Sequence, residues 1–175
     1  RTLGTQMKST GETMAIGRTI EEAVMKGIRS LEIGKTGLES DNLTDEEILK
    51  DLQVPTDTRM FSMAEALRRG MSVDEVAQHT FWDPFFVQKL KNLVAMEERL
   101  KKGPLDASLL RDAKRMGFAD LTIGEFSGVE EMEVRRIRKE HGIVTTYKMV
   151  DTCAAEIAAV TPYFYSSYGR MCEVK

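Results

Sequence analysis

The sequence predicts a mainly α-helical fold with short extended segments at both ends. Three observations carry this expectation. Apolar side chains recur at helical spacing through most of the chain. Capping signals precede these runs at Thr19, Thr44, Ser72, Asp83 and Asp106. Glycine closes them at Gly34, Gly70, Gly103 and Gly117, with Pro104 following the third.

Taken in order, Met7 to Gly17 alternates weakly and predicts an extended segment or a short strand pair. Thr19 and Glu22 have capping-box spacing: the hydroxyl accepts from the amide three residues on, and the carboxylate reaches back. The helix that follows would turn Ile20, Ala23, Val24, Gly27, Ile28 and Leu31 inward. Gly34 to Asn42 has no clear period and predicts a linker, the best candidate for a domain boundary. A second box, Thr44 with Glu47, opens a short helix to about Leu52, and Pro55 bars its extension. Met60, Met63, Ala64 and Leu67 mark the inner face of a helix between about Thr58 and Arg69. A third box, Ser72 with Glu75, opens a short helix to about His79.

Asp83-Pro84 opens the longest helix, to about Lys102, because Asp caps and the missing proline N–H is not needed in a first turn. Phe86, Leu90, Leu93, Val94 and Leu100 form its expected buried stripe. Shorter helices follow from Asp106, Asp120 and Glu130. The last would turn Met132, Val134, Ile137 and His141 inward. After Gly142 the β-branched run Ile143 to Thr146 predicts a return to extended structure. The short-then-long helix pairs at 72–100 and 121–140 echo one another.

Composition sets outer limits. The chain has 175 residues, 42% of them hydrophobic, enough for one cored domain or one domain plus part of another. A net charge of -3 gives no electrostatic case for nucleic acid or an anionic membrane as the main partner. No apolar run reaches the ~18 residues of a membrane span, and no signal-peptide pattern appears. Cys153 and Cys172 lack metal-ligand spacing and read as reduced thiols of a cytoplasmic protein, with a single disulfide left open. Opening on Arg1, the chain reads as either processed or cut from a longer protein.

Several motifs invite functional readings. Residues 121–140 have the spacing of a DNA-binding helix-turn-helix, which leaves open an independent helical regulator of DNA or protein. The first turn of its second helix nevertheless carries Glu130, Glu131 and Glu133, which would repel phosphate. His79 and His141 lack partners at metal-ligand spacing. Gly4, Gly11 and Gly17 lack the Gly-Lys-Ser/Thr ending of a phosphate loop, and Ser9 and Glu12 lack a visible base. Eleven methionines fit core filling. Phe81, Trp82, Phe85 and Phe86 crowd around Asp83-Pro84 and suit either a core anchor or an exposed interface.

Three stretches together resemble one family. They are Met7-Lys8-Ser9-Thr10-Gly11-Glu12-Thr13-Met14-Ala15-Ile16-Gly17-Arg18, then Phe118-Ala119-Asp120, then Tyr147-Lys148-Met149-Val150-Asp151-Thr152-Cys153-Ala154-Ala155-Glu156. They resemble the large subunit of carbamoyl-phosphate synthetase, and Asp83-Pro84-Phe85-Phe86 is similar to a helix start in that family. The resemblance covers the whole chain. It implies that residues 1–34 are the tail of the carboxyphosphate ATP-grasp domain. Residues 35–150 would be a multi-helix oligomerisation domain, and 151–175 a connection toward the carbamoyl-phosphate ATP-grasp half.

The implied parent enzyme makes carbamoyl phosphate from bicarbonate, ammonia taken from glutamine, and ATP, for arginine and pyrimidine biosynthesis. Its ATP, with Mg or Mn, would bind in the ATP-grasp bodies. No catalytic, cofactor or metal residue is therefore carried over to this chain, which would be a non-catalytic scaffold. Implied partners are a second copy of the chain, the glutaminase small subunit and the two ATP-grasp halves, with neither nucleic acid nor membrane. The segment holding Met7 and Thr10 would lie beside the internal ammonia passage, with Thr10 where valine is common. Self-association is expected through Phe81, Trp82, Phe85 and Phe86, with Met96 nearby, because one helix can turn only a stripe toward its own core.

Overall fold

A computed structural model of the protein describes residues 4–6, 13–158, 160–161 and 163–174. Among them the chain forms α1 (Ile20–Ser30), α2 (Asp45–Gln53), α3 (Arg59–Arg68), α4 (Val73–Thr80), α5 (Pro84–Lys102), α6 (Ala107–Arg115), α7 (Asp120–Ser127) and α8 (Glu131–Glu140). Two strands follow, β1 (Thr146–Met149) and β2 (Phe164–Ser167). The fold is mainly α, as the periodicity predicts. Residues 13–17 run without strand pairing, and Met7 to Glu12 lie outside the described residues.

The long helix α5 is the hub, and α1, α3, α4, α6 and α7 all pack against it. Val87, Leu90, Leu93, Val94, Met96 and Leu100 form its buried stripe. Removing such a side chain costs about 2–5 kcal/mol, as transfer energy plus the cavity left behind. Two expectations for this helix fail. Phe86 stays 47% exposed, because the first turn reaches past the core and the ring meets the edge of Phe85 instead. Met96 is buried rather than surface-facing, because it falls in phase with Leu93 and Leu100 along the stripe.

Local capping places the helix starts. The boxes Thr44–Glu47 and Ser72–Glu75 are both reciprocal. Thr19 accepts from Glu22 N at 3.1 Å, but the Glu22 carboxylate passes Thr19 and takes Arg18 N at 2.7 Å. That deviation announces a rotated helix. The buried residues of α1 are Glu21, Glu22, Met25 and Ile28; of the expected face Ile28 is buried and Val24 packs against the core from a partly buried place, while Leu31 is exposed. Glu21 accepts from Asn92 on α5 at 2.8 Å and lies 3.6 Å from Lys89 Nζ. Glu22 pairs with Lys26 at 2.9 Å and accepts from Ser167 Oγ at 3.4 Å. Lys26 also donates to Ser166 O. Buried charges with distant partners thus set the orientation of α1, which apolar spacing cannot register.

The β1–β2 pair is antiparallel, with Thr146 opposite Ser167 and Met149 opposite Phe164. Through Lys26 and Glu22 it sits against α1. On the opposite flank Arg115 Nε donates to Tyr168 O at 3.4 Å. A second internal charge group joins α3 to α5: Arg68 forks onto Glu97 at 2.7 and 2.9 Å and also donates to Leu38 O at 2.7 Å.

The helix pairs α4–α5 and α7–α8 share one design, as the sequence echo suggests. Each connection is three residues long, Phe81-Trp82-Asp83 in one and Gly128-Val129-Glu130 in the other. Each begins with a left-handed residue whose N–H bonds back four residues, to Ala77 O and Gly124 O. In α8, Met132 and His141 are exposed rather than inward, and Arg138 takes a buried place beside Val134. The carboxylate of Asp120 draws Arg138 in.

Candidate association surface

The expected aromatic cluster is built by the α4–α5 turn. Thr80 is buried, its hydroxyl donating to Val76 O at 2.7 Å and accepting from Trp82 N at 3.3 Å. The Arg59 guanidinium donates to Thr80 O and so ties the turn to α3. Asp83 caps α5 by accepting from Phe85 N at 2.8 Å. The turn is therefore held from three sides, while its large side chains point away from the core.

Phe81 is 93% exposed, and its backbone lies at φ 58, ψ 23. For a residue with a Cβ this left-handed conformation costs about 1–2 kcal/mol. The equivalent position in α7–α8 is Gly128, at φ 71, where no such cost arises. Phe81 is thus a strained, solvent-exposed phenylalanine at a position where its counterpart is glycine. Trp82 is 38% exposed and Phe85 54%. Phe85 and Phe86 meet edge to face, with centroids 5.3 Å apart, and Lys89 Nζ stands 5.0 Å over the Phe85 ring. Shallow clefts flank the rings. One is rimmed by Phe81, Trp82 and Pro84 against Ala77 and Gln78 of α4. The other lies between Phe85 and Ile16 and Ile20 at the start of α1. All four sequence-predicted residues are exposed around the start of α5, with Phe81 and Trp82 on one cleft and Phe85, in contact with Phe86, on the other.

Other candidates fare differently. Met7 and Thr10 lie outside the described residues. In the helix-turn-helix at 121–140, Arg138 is buried against Asp120, and Arg136 is held by Glu133 and Glu140. Those cations serve the fold rather than a phosphate backbone. Gly124 lets the two helices close up, since a Cβ there would lie 2.5 Å from Val129 O. Both cysteines are free thiols. Among the described residues, no three His, Cys, Asp or Glu side chains gather as a metal site. None of the helices among the described residues is long and apolar enough to cross a membrane.

The sequence model of the carbamoyl-phosphate synthetase large chain oligomerisation domain matches residues 12–142, most of the chain. The chain belongs to this family. Carbamoyl phosphate synthase large chains match it end to end. That of Thermoanaerobacter pseudethanolicus is 49% identical over 178 aligned residues and 100% of this chain, and that of Methanothrix thermoacetophila is 51% identical over 99% of it. The N-terminal section of the Aquifex aeolicus large chain is 50% identical over 97% of this chain. The chain spans 17%, 16% and 31% of these relatives' lengths, respectively.

The sequence does not disclose the buried charges. Glu21, Glu22, Glu97, Lys114 and Arg138 are all buried, yet each reads as a solvated helix position. The one available signal is local: Glu22 at capping-box spacing from Thr19.

Proposed function

We propose that this chain is a non-catalytic association and scaffold region of a carbamoyl-phosphate synthetase large chain. The observation that carries the reading is Phe81, an exposed ring held in a left-handed turn within a ring cluster, in a member of an oligomerisation-domain family. Two copies would associate around a two-fold axis, the rings of one entering the clefts beside the rings of the other. Such an arrangement suits a patch with both projecting rings and flanking hollows.

In this proposal residues 35–150 form the association domain. Residues 1–34 are the C-terminal tail of the carboxyphosphate ATP-grasp domain, residues 151–175 connect toward the carbamoyl-phosphate ATP-grasp half, and the glutaminase small subunit is a further partner of the whole enzyme. The parent, in the cytoplasm, makes carbamoyl phosphate from bicarbonate, glutamine-derived ammonia and ATP, feeding arginine and pyrimidine synthesis. ATP with Mg or Mn belongs to the flanking halves, and no step of that reaction is assigned to residues of this chain. The scaffold would act by holding the halves in register. Met7 and Thr10 would lie near the ammonia passage.

Two measurements on the 175-residue chain test the proposal. Sedimentation velocity over a wide concentration range should reveal reversible assembly. Calorimetry with ATP-Mg should give no heat of micromolar binding. Micromolar ATP binding that Arg111→Gln and Arg115→Gln leave intact would overturn the non-catalytic assignment, and a strict monomer would overturn the association.

A further inference from the structure

A cleft of about 500 Å³ opens between α6 and the chain around the β1–β2 pair, remote in sequence from the aromatic cluster. Ser108, Arg111 and Arg115 stand along one side of α6 at helical spacing and line it. Arg170, just beyond β2, and the half-buried Tyr168 also line it. The carboxylate on its lining is Asp112, which already faces Arg99 at 3.3 Å. Three guanidiniums therefore share one concavity with a single acid that another arginine engages from outside.

Two of the arginines are only partly engaged. Arg111 gives one N–H to His141 O at 3.4 Å, and Arg115 gives Nε–H to Tyr168 O at 3.4 Å. A guanidinium carries five N–H donors, so each retains donors for a further acceptor. The two bonds also tie α6 to the end of α8 and to the segment after β2, which fixes the cleft walls. Unlike Arg136 and Arg138, which pair with carboxylates within the fold, Arg111, Arg115 and Arg170 line the same open cleft.

We infer that this cleft is a binding site for a small multivalent oxyanion, recognised by Arg111, Arg115 and Arg170 with the Ser108 hydroxyl. Guanidinium forks match the paired oxygens of phosphate and carboxylate groups, and a concave wall of like charge raises the local concentration of such anions. The volume falls within the ~300–1,000 Å³ range of small-molecule sites. The shared chemistry is a cluster of anionic oxygens, carried either by linked phosphates or by a polycarboxylate. This inference does not depend on the proposed association.

The test is titration of the 175-residue chain with inorganic pyrophosphate and, separately, with citrate, followed by calorimetry and by amide shifts in NMR spectra. At least one probe should bind and shift the amides of residues 108–115 and 168–170. Arg111→Gln and Arg115→Gln should each weaken it about tenfold or more, the usual loss for a charge-assisted contact. Arg136→Gln, on an exposed ion pair outside the cleft lining, should leave it unchanged. Preference for pyrophosphate identifies a phosphate site, and preference for citrate a carboxylate site. Binding of neither probe would overturn the inference. Equal weakening by Arg136→Gln would also overturn it, because the attraction would then be general surface charge. Circular dichroism of the variants confirms that they fold, as expected for exposed side chains.

Discussion

The carboxylate of Asp120 and the ammonium of Lys114 meet at 2.7 Å with both side chains nearly buried, their exposures 10% and 6%. Arg138 Nε completes the group at 2.7 Å from the other Asp120 oxygen. Lys114 also donates to Phe118 O at 2.7 Å. The three residues come from α6, α7 and α8, so one carboxylate locks three helices. Burial opposes the Asp120 charge, but hydrogen bonds from Lys114 and Arg138 outweigh it and hold the carboxyl below the usual aspartate range. At Lys114 burial is the stronger influence and draws the ammonium down. Asp120→Asn would strand two buried cations and should cost about 3–5 kcal/mol in chemical denaturation.

The same residue predicts a pH dependence. Asp120 is more acidic folded than unfolded, so its stabilisation is complete above the unfolded value, about pH 4. It is lost as pH falls through the lower, folded value. Denaturation midpoints measured from neutral pH downward should drop on the acid side in the parent chain. The drop should be shallower in Asp120→Asn, which has no carboxyl to protonate.

Gly124 offers a purely steric test. An added Cβ would lie 2.5 Å from Val129 O, which is backbone and cannot swing aside. Gly124→Ala should destabilise the chain by about 1–3 kcal/mol, the usual cost of overpacking. Thermal denaturation measures it. Unchanged stability would mean that the α7–α8 turn relaxes freely.

Phe81 should show opposite effects on fold and assembly. Phe81→Gly relieves a left-handed phenylalanine and removes no buried contact, since the ring is 93% exposed. Monomer stability should rise by about 0.5–1 kcal/mol, less than the full relief because glycine also loosens the unfolded chain. Chemical denaturation reads the first effect. Association should weaken in the same variant.

These elements differ in how far the sequence discloses them. The helix starts at Thr44, Ser72 and Asp83 are legible, because each cap is satisfied within three residues. The exposed rings are legible as a surplus: Phe81, Trp82, Phe85 and Phe86 exceed what one stripe can bury. The specific side of Phe86 is not, since it lies in phase with Leu90 and only its place in the first turn leaves it exposed. The face of α1 escapes apolar spacing because Glu21 and Glu22 are buried by Asn92, Lys89 and Ser167, partners up to 145 residues away. The pairing of β1 with β2 is likewise invisible, although the extended character after Gly142 is not. The left-handed state of Phe81 emerges only beside Gly128, its counterpart in the second helix pair.

Sedimentation equilibrium of the 175-residue chain, compared with Phe85→Ser and Phe86→Ser, tests the association surface most directly. Both side chains are about half exposed, so the variants should fold. The account predicts a reversible dimer for the parent chain and a dissociation constant raised about tenfold or more by each substitution, as for an aromatic at the centre of an interface. A parent chain that stays monomeric at high concentration, or a dimer that both substitutions leave intact, would contradict it.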